Sequence, residues 1–146
     1  MFCYQCEQTA GGTGCTRFGV CGKSPEVAAL QDLLVYSLKG LSYVVMEGKK
    51  HGVSDSSLNR FAAEAMFSTL TNVNFDPERF VPLINKAVEH RENLKKKIAD
   101  AGGPVGYDEK SASITPPATL EGMIKTGAEV GVLRNSDLNA DIRSLQ

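Results

Sequence analysis

Apolar residues recur every three or four positions through three long segments, the spacing that gives an α-helix one apolar face. The first segment, residues 24–52, opens with Ser24 and Pro25, which suit the N-cap and the first position of a helix. Gly52 is typical of a helix C-terminal end. The apolar face predicted for this helix comprises Leu30, Leu34, Leu38, Leu41 and Val45.

Two further helices are predicted, one over about 56–72 and one that starts at Asp76 and Pro77 and runs to about Ala101. The run Gly102-Gly103-Pro104 ends the third helix. Its predicted inward face contains Phe80, Leu83, Ile84, Ala87, Val88, Leu94 and Ile98. The second helix carries its apolar face on Leu58, Phe61, Ala62, Ala65, Met66, Thr69 and Leu70. Amphipathic helices joined by short turns predict a three-helix antiparallel bundle over 24–102.

The C-terminal part, residues 103–146, is less regular. Residues 103–118 form a predicted irregular linker, and Thr119 caps a short helix in "TLEGMIKTGAEVGVL". Another helical pattern begins around Asn139 and the sequence stops at Gln146. Because so short a helix needs tertiary support, we expect it to begin a second bundle that is truncated here. A frayed terminal tail is the alternative.

Composition indicates a soluble protein of one core. The chain has 146 residues, a formal net charge of -1 and 42% hydrophobic residues, so no general attraction to nucleic acid is expected. No apolar run approaches the roughly 18 residues of a membrane span, and the N-terminus lacks the pattern of a secretory signal. We therefore expect a cytoplasmic protein without a membrane partner, whose cysteines meet a reducing environment.

All four cysteines, Cys3, Cys6, Cys15 and Cys21, lie in the first 23 residues, with the spacing C-x2-C-x8-C-x5-C. In a reducing compartment, clustered cysteines bind metal or carry out redox chemistry more often than they form structural disulfides. The close pair can direct two thiolates toward one centre, and the glycine-rich stretch that follows can bring the other two around it. Residues 1–23 are therefore predicted to be a metal-binding loop.

Four kinds of site remain open from the residues alone. A [4Fe–4S] cluster needs four converging thiolates, and this loop offers them. A structural zinc site usually has two close pairs of cysteines, whereas the second pair here is C-x5-C. Two disulfides would suit a small secreted protein, and a thioredoxin-like C-x-x-C would need a βαβ setting. The residues favour the iron–sulfur cluster over these three alternatives.

The motif and its flanks resemble the hybrid cluster protein family, also called prismane proteins or hydroxylamine reductases. The matching stretches are "MFCYQCEQT…GC…GVCGK", "LQDLLVYSLKGLS", "FSTLTNVNFD" and "GVL…DIRSL", which together span essentially the whole chain. The short cysteine spacing is similar to that of the subgroup with a cubane [4Fe–4S] cluster. The resemblance implies that Cys3, Cys6, Cys15 and Cys21 are the cluster ligands.

Members of that family are several times longer than this chain and carry a second, hybrid Fe–S–O cluster that reduces hydroxylamine or nitric oxide. Its histidine, glutamate and cysteine ligands lie in later domains, and this chain has no cysteine after Cys21. The resemblance therefore implies an N-terminal electron-transfer module that lacks catalytic residues and is inactive alone. Its implied partners are a reductase or ferredoxin-like electron donor and the remaining domains of the parent protein.

Two other functions stay open. The chain could be a zinc-stabilised helical interaction domain, or a free-standing small iron–sulfur electron carrier. Three lysines do not discriminate between these functions. Lys23, Lys49 and Lys50 would form a basic rim near the cysteines only if the first helix folded back.

Overall fold

Helices supply the regular structure of this protein. The computed structural model describes residues 2–3, 5–6, 14–131 and 139. Its elements are α1 (Pro25–Lys50), α2 (Ser57–Ser68), α3 (Pro77–Asp100), a 3-10 turn (Lys110–Ser113) and α4 (Leu120–Val130). These described ranges contain no strand, so the all-α prediction is confirmed. The helix predicted to begin around Asn139 lies, apart from Asn139 itself, outside the described residues. No helix in the described part combines the length and apolar character required to cross a membrane.

Capping residues fix the starts of three helices. The side chains of Ser24, Asp76 and Thr119 each accept a hydrogen bond from a backbone N–H in the first turn, at 3.2, 3.0 and 3.1 Å. Pro25 and Pro77 follow directly, where a missing N–H costs nothing because that group has no partner within the helix. These three starts were predicted from the sequence and are confirmed.

The second helix is shorter than the predicted span of 56–72. It ends at Ser68, and the chain then turns, with Asn72 at a backbone φ of 65°. Asparagine adopts this left-handed conformation more readily than most residues. Met66 and Leu70, predicted to face inward, are exposed. The buried residues of this segment are Leu58, Phe61, Ala65 and Thr69.

The core is built around α1. This helix buries side chains on several faces because α3, α4 and the 3-10 turn all pack against it. Each buried aliphatic side chain stabilises the fold by roughly 1.5–3 kcal/mol relative to an exposed one. The core residues of α1 are Val27, Leu30, Leu33, Leu34, Leu38, Leu41 and Val44, and those of α3 are Phe80, Ile84, Ala87, Leu94 and Ile98.

The helix α4 belongs to this core, although the sequence analysis set it outside the three-helix bundle. Met123 of α4 is fully buried. Gly127 lies so close to α1 that an added Cβ would collide with the backbone carbonyl of Ala29. On another side of α1, a Cβ at Gly40 would collide with the backbone of Ser111. Glycine therefore permits two close backbone contacts that fasten residues 111–127 onto α1.

A buried arginine holds the segment between α3 and α4. The guanidinium of Arg91 is almost fully buried and donates hydrogen bonds to the carbonyl oxygens of Ser111 at 3.0 Å and Ile114 at 2.7 Å. It also pairs with Glu92 at 2.7 Å. Because a buried charge without partners would be strongly destabilising, these contacts define one position for the 3-10 turn. The predicted irregular linker is thus ordered at its centre.

The close contact at Gly127 predicts that a Gly→Ala substitution destabilises the protein here, although the same substitution stabilises an ordinary helix. In an ordinary helix, alanine is about 1 kcal/mol more favourable than glycine. We expect Gly127→Ala to lower the free energy of unfolding by about 1–3 kcal/mol instead, because the new methyl group separates α4 from α1. Urea unfolding followed by circular dichroism measures the difference. Gly106→Ala, where a Cβ meets open space, is the matched control. A Gly127→Ala midpoint at or above the wild-type value would show that the contact is not tight.

Candidate metal centre

The N-terminal segment and the loop before α1 run side by side. The backbone N–H of Phe2 donates a hydrogen bond to the carbonyl oxygen of Cys15 at 3.0 Å. This bond joins residues far apart in the loop and places Cys3 beside the segment that carries Cys15. The two halves of the cysteine motif are therefore held together by the backbone itself.

A tight turn presents the last cysteine. The N–H of Gly22 donates to the carbonyl oxygen of Gly19 at 2.9 Å, and Cys21 lies within the turn that this bond closes. Gly22 has a φ of 94°, a conformation that side-chain-bearing residues rarely adopt. The N–H of Gly19 also donates to the carbonyl oxygen of Lys23 at 2.8 Å. The glycines around Cys21 thus shape the loop immediately before α1 begins.

The four cysteines line one pocket. Cys15 is buried, Cys3 and Cys21 are half-buried, and Cys6 is exposed. None of the four forms a disulfide. The remaining lining residues are Gly19, Val20, Lys23 and Thr71. Thr71 follows α2, so the pocket is formed by the N-terminal segment, the loop before α1 and the turn after α2.

The donor set fits a group bound through thiolates. Cysteine sulfur is a soft ligand that selects zinc and iron–sulfur clusters over magnesium or calcium. Within the described ranges, no three His, Cys, Asp or Glu side chains are arranged to hold a single metal ion. The four cysteines line one shared pocket.

Lys23 is a pocket residue that the sequence analysis did not assign to the site. Its side chain is only 1% exposed. Lys49 and Lys50 lie at the other end of α1, a helix whose 26 residues span roughly 39 Å. The basic rim that would have joined these three lysines is therefore not formed. The side chain of Lys23 instead points into the protein, next to the cysteines. The sequence signal for this position is that Lys23 follows Cys21 by two residues.

Two glutamines anchor the Lys23 ammonium. Its Nζ donates to Gln31 Oε1 at 2.6 Å and also to Gln5 Oε1. Gln5 Nε2 in turn donates to the carbonyl oxygen of Thr69 at 2.6 Å, which links the N-terminal segment to the end of α2. Gln31 Nε2 is buried and has no acceptor among the described residues. The network fixes both amide orientations, because an ammonium only donates.

Asp32 adds a second unusual polar group beside this network. Burial raises the pKa of its carboxyl to about 6, and the positive charge of Lys23 lowers that pKa only in part. A raised pKa means that the ionised carboxylate is poorly solvated where it lies. Near neutral pH the carboxylate is therefore a mostly ionised group in a site that disfavours ionisation.

The described residues form an all-α fold with one pocket lined by four cysteines. The family follows from comparison with known proteins. A sequence profile described as the Prismane/CO dehydrogenase family matches residues 1–146. The chain therefore belongs to the Prismane/CO dehydrogenase family, whose prismane members carry iron–sulfur clusters.

Individual relatives agree with this assignment. The chain is 58% identical to a hydroxylamine reductase of Syntrophobacter fumaroxidans, 53% to one of Methanocella arvoryzae and 43% to one of Clostridium perfringens. Each alignment covers the whole of this chain but only 26–27% of the relative. The chain thus spans about a quarter of the length of the curated relatives that it matches.

The raised pKa of Asp32 predicts a pH-dependent stability. Between about pH 4 and pH 6 the native carboxyl binds a proton more tightly than the unfolded one, so the free energy of unfolding falls as pH rises and then levels off. We expect Asp32→Asn to remove this slope and to raise the stability of the metal-free chain at pH 7.5 by on the order of 2 kcal/mol. Urea unfolding at pH 4.5 and pH 7.5 measures both effects.

Asp108→Asn, at an exposed aspartate, is the control for the loss of one carboxylate. If Asp32→Asn and wild type lost stability equally between the two pH values, the native pKa of Asp32 would not be raised.

Proposed function

We propose that this chain is the electron-transfer module of a hydroxylamine reductase-type oxidoreductase, and that Cys3, Cys6, Cys15 and Cys21 hold a [4Fe–4S] cluster. The observation that carries the proposal is the common pocket of the four cysteines. Such a cluster exchanges single electrons at a potential set by hydrogen bonds to its sulfurs and by solvent exposure. The family assignment and the hydroxylamine reductase relatives support this choice over zinc.

The reduction of substrate is assigned to another part of the parent protein. The relatives are about four times as long as this chain and are named hydroxylamine reductases. All four cysteines of this chain are committed to one pocket, which leaves none for a second cluster. We place the hybrid Fe–S–O cluster, and the reduction of hydroxylamine or nitric oxide, in the remaining domains.

The pocket is open enough to receive electrons from a partner protein. Cys6 is exposed, and the lining residue Val20 has 58% of its surface accessible. Leu70, next to the lining residue Thr71, is also an exposed apolar side chain. We assign this surface to a reductase or ferredoxin-like donor in the cytoplasm. Cys15 is buried, so its sulfur is shielded from water.

Metal and sulfide analysis tests the proposal directly. On anaerobically purified chain we expect about four iron and about four acid-labile sulfide per chain, as a cubane requires. Cys15→Ser is expected to lose most of both, because a hydroxyl replaces a buried thiolate ligand. Val20→Ala alters a pocket-lining side chain without removing a ligand and is expected to retain both.

The zinc-stabilised interaction domain predicts another composition. One zinc per chain without sulfide, lost in Cys15→Ser, would overturn the electron-transfer proposal. Equal iron in wild type and Cys15→Ser would show that the iron is bound elsewhere.

A further inference from the structure

Lys23 is a buried lysine whose ammonium has no ion-pair partner among the residues that the structure describes. An ammonium has three N–H donors, and three acceptors surround this one: Gln31 Oε1 at 2.6 Å, Gln5 Oε1, and Cys3 Sγ at 3.9 Å. The hydrogen-bonding capacity of the ammonium is therefore complete. Two of the acceptors are neutral amides, which satisfy its hydrogen bonds but not its charge.

Buried charges in proteins are normally paired or bound to metal, because an isolated ion in the interior is strongly destabilised. Across residues 2–3, 5–6, 14–131 and 139, no carboxylate forms an ion pair with Lys23. Asp32 acts on it only at longer range. The third acceptor, the sulfur of Cys3, is the one neighbour among the described residues in direct contact with the ammonium that can carry negative charge as a thiolate.

We propose that Lys23 is a positioning residue that compensates the charge of the four-thiolate site, donates a hydrogen bond to Cys3 Sγ and raises the reduction potential of the group held there. This inference rests on the proposed function. Gln5 and Gln31 fix the ammonium, so its charge stays beneath the pocket in both redox states. The same contacts fasten the segment with Cys3 to α1.

The sign of the effect follows from charge. In each reduction the site takes one electron from an external low-potential one-electron donor and gains one negative charge. A fixed cation in a poorly solvated position favours the more negative state, because screening is weak there. Removal of the cation must therefore make reduction harder and lower the potential. Loss of the hydrogen bond to Cys3 Sγ acts in the same direction.

The test compares three variants of the full chain, purified anaerobically. Lys23→Met removes the charge and keeps an apolar stem, and Lys23→Arg keeps the charge. Lys49→Met removes an exposed lysine at the far end of α1 and is the matched control. Iron and sulfide are measured first, and an electron paramagnetic resonance redox titration then gives the potential. We expect Lys23→Met to shift the redox equilibrium at least tenfold toward the oxidised state, about 59 mV for one electron.

The outcomes separate this inference from the proposed function. Wild type without iron and sulfide would sink the proposed function itself. A loaded Lys23→Met chain whose potential equals that of wild type would overturn the role of Lys23 alone. If Lys23→Met fails to retain iron, retention by Lys23→Arg supports charge compensation, whereas loss in both variants overturns it in favour of a steric role. Lys49→Met is expected to match wild type throughout.

Discussion

The burial of α1 on several sides is the constraint on which the rest of the structure depends. A helix that packs against α3, α4 and the 3-10 turn must carry apolar side chains around most of its circumference. It also needs very small residues where its backbone crosses that of another segment. Gly40 meets that requirement in α1, and Gly127 meets it in α4. Because α4 is held by this contact, residues well beyond the predicted bundle become part of one core.

The same helix organises the cysteine pocket. The N-cap Ser24 follows Lys23 directly, so the start of α1 fixes where the lysine leaves the loop and in which direction it can reach. Gln31 lies less than two turns into α1 and receives the ammonium. Gln5 then connects the lysine to Thr69 at the end of α2. A loop rich in glycine would otherwise have many conformations, and this polar chain, together with the Phe2–Cys15 backbone bond, restricts them.

The sequence predicted those structural features that depend on interactions between residues close together along the chain. Ser24, Asp76 and Thr119 cap their helices through bonds within one turn, so the sequence alone located these starts. The cysteine spacing likewise identified which residues meet in the pocket. The end of α2 was misjudged because Met66 and Leu70 follow a helical pattern but remain exposed. The burial of Lys23 could not be predicted, since it depends on partners brought together by folding: Gln5 at one side and Gln31 on α1.

Three unfavourable polar groups of this fold lie beside the cysteine pocket, and their proximity argues for function. Away from the pocket, Arg91 is well matched by two carbonyl oxygens and a carboxylate, whereas the buried hydroxyl of Tyr107 has no partner among the described residues. Beside the pocket, Lys23 is buried against neutral amides, Gln31 Nε2 lacks an acceptor within the described residues, and Asp32 is ionised against the effect of burial. Proteins tolerate such local conflicts mainly where a site requires them. A cysteine loop that served only to close the end of the bundle would be more stable with apolar residues at these positions, so the retained charge favours a negatively charged ligand above it.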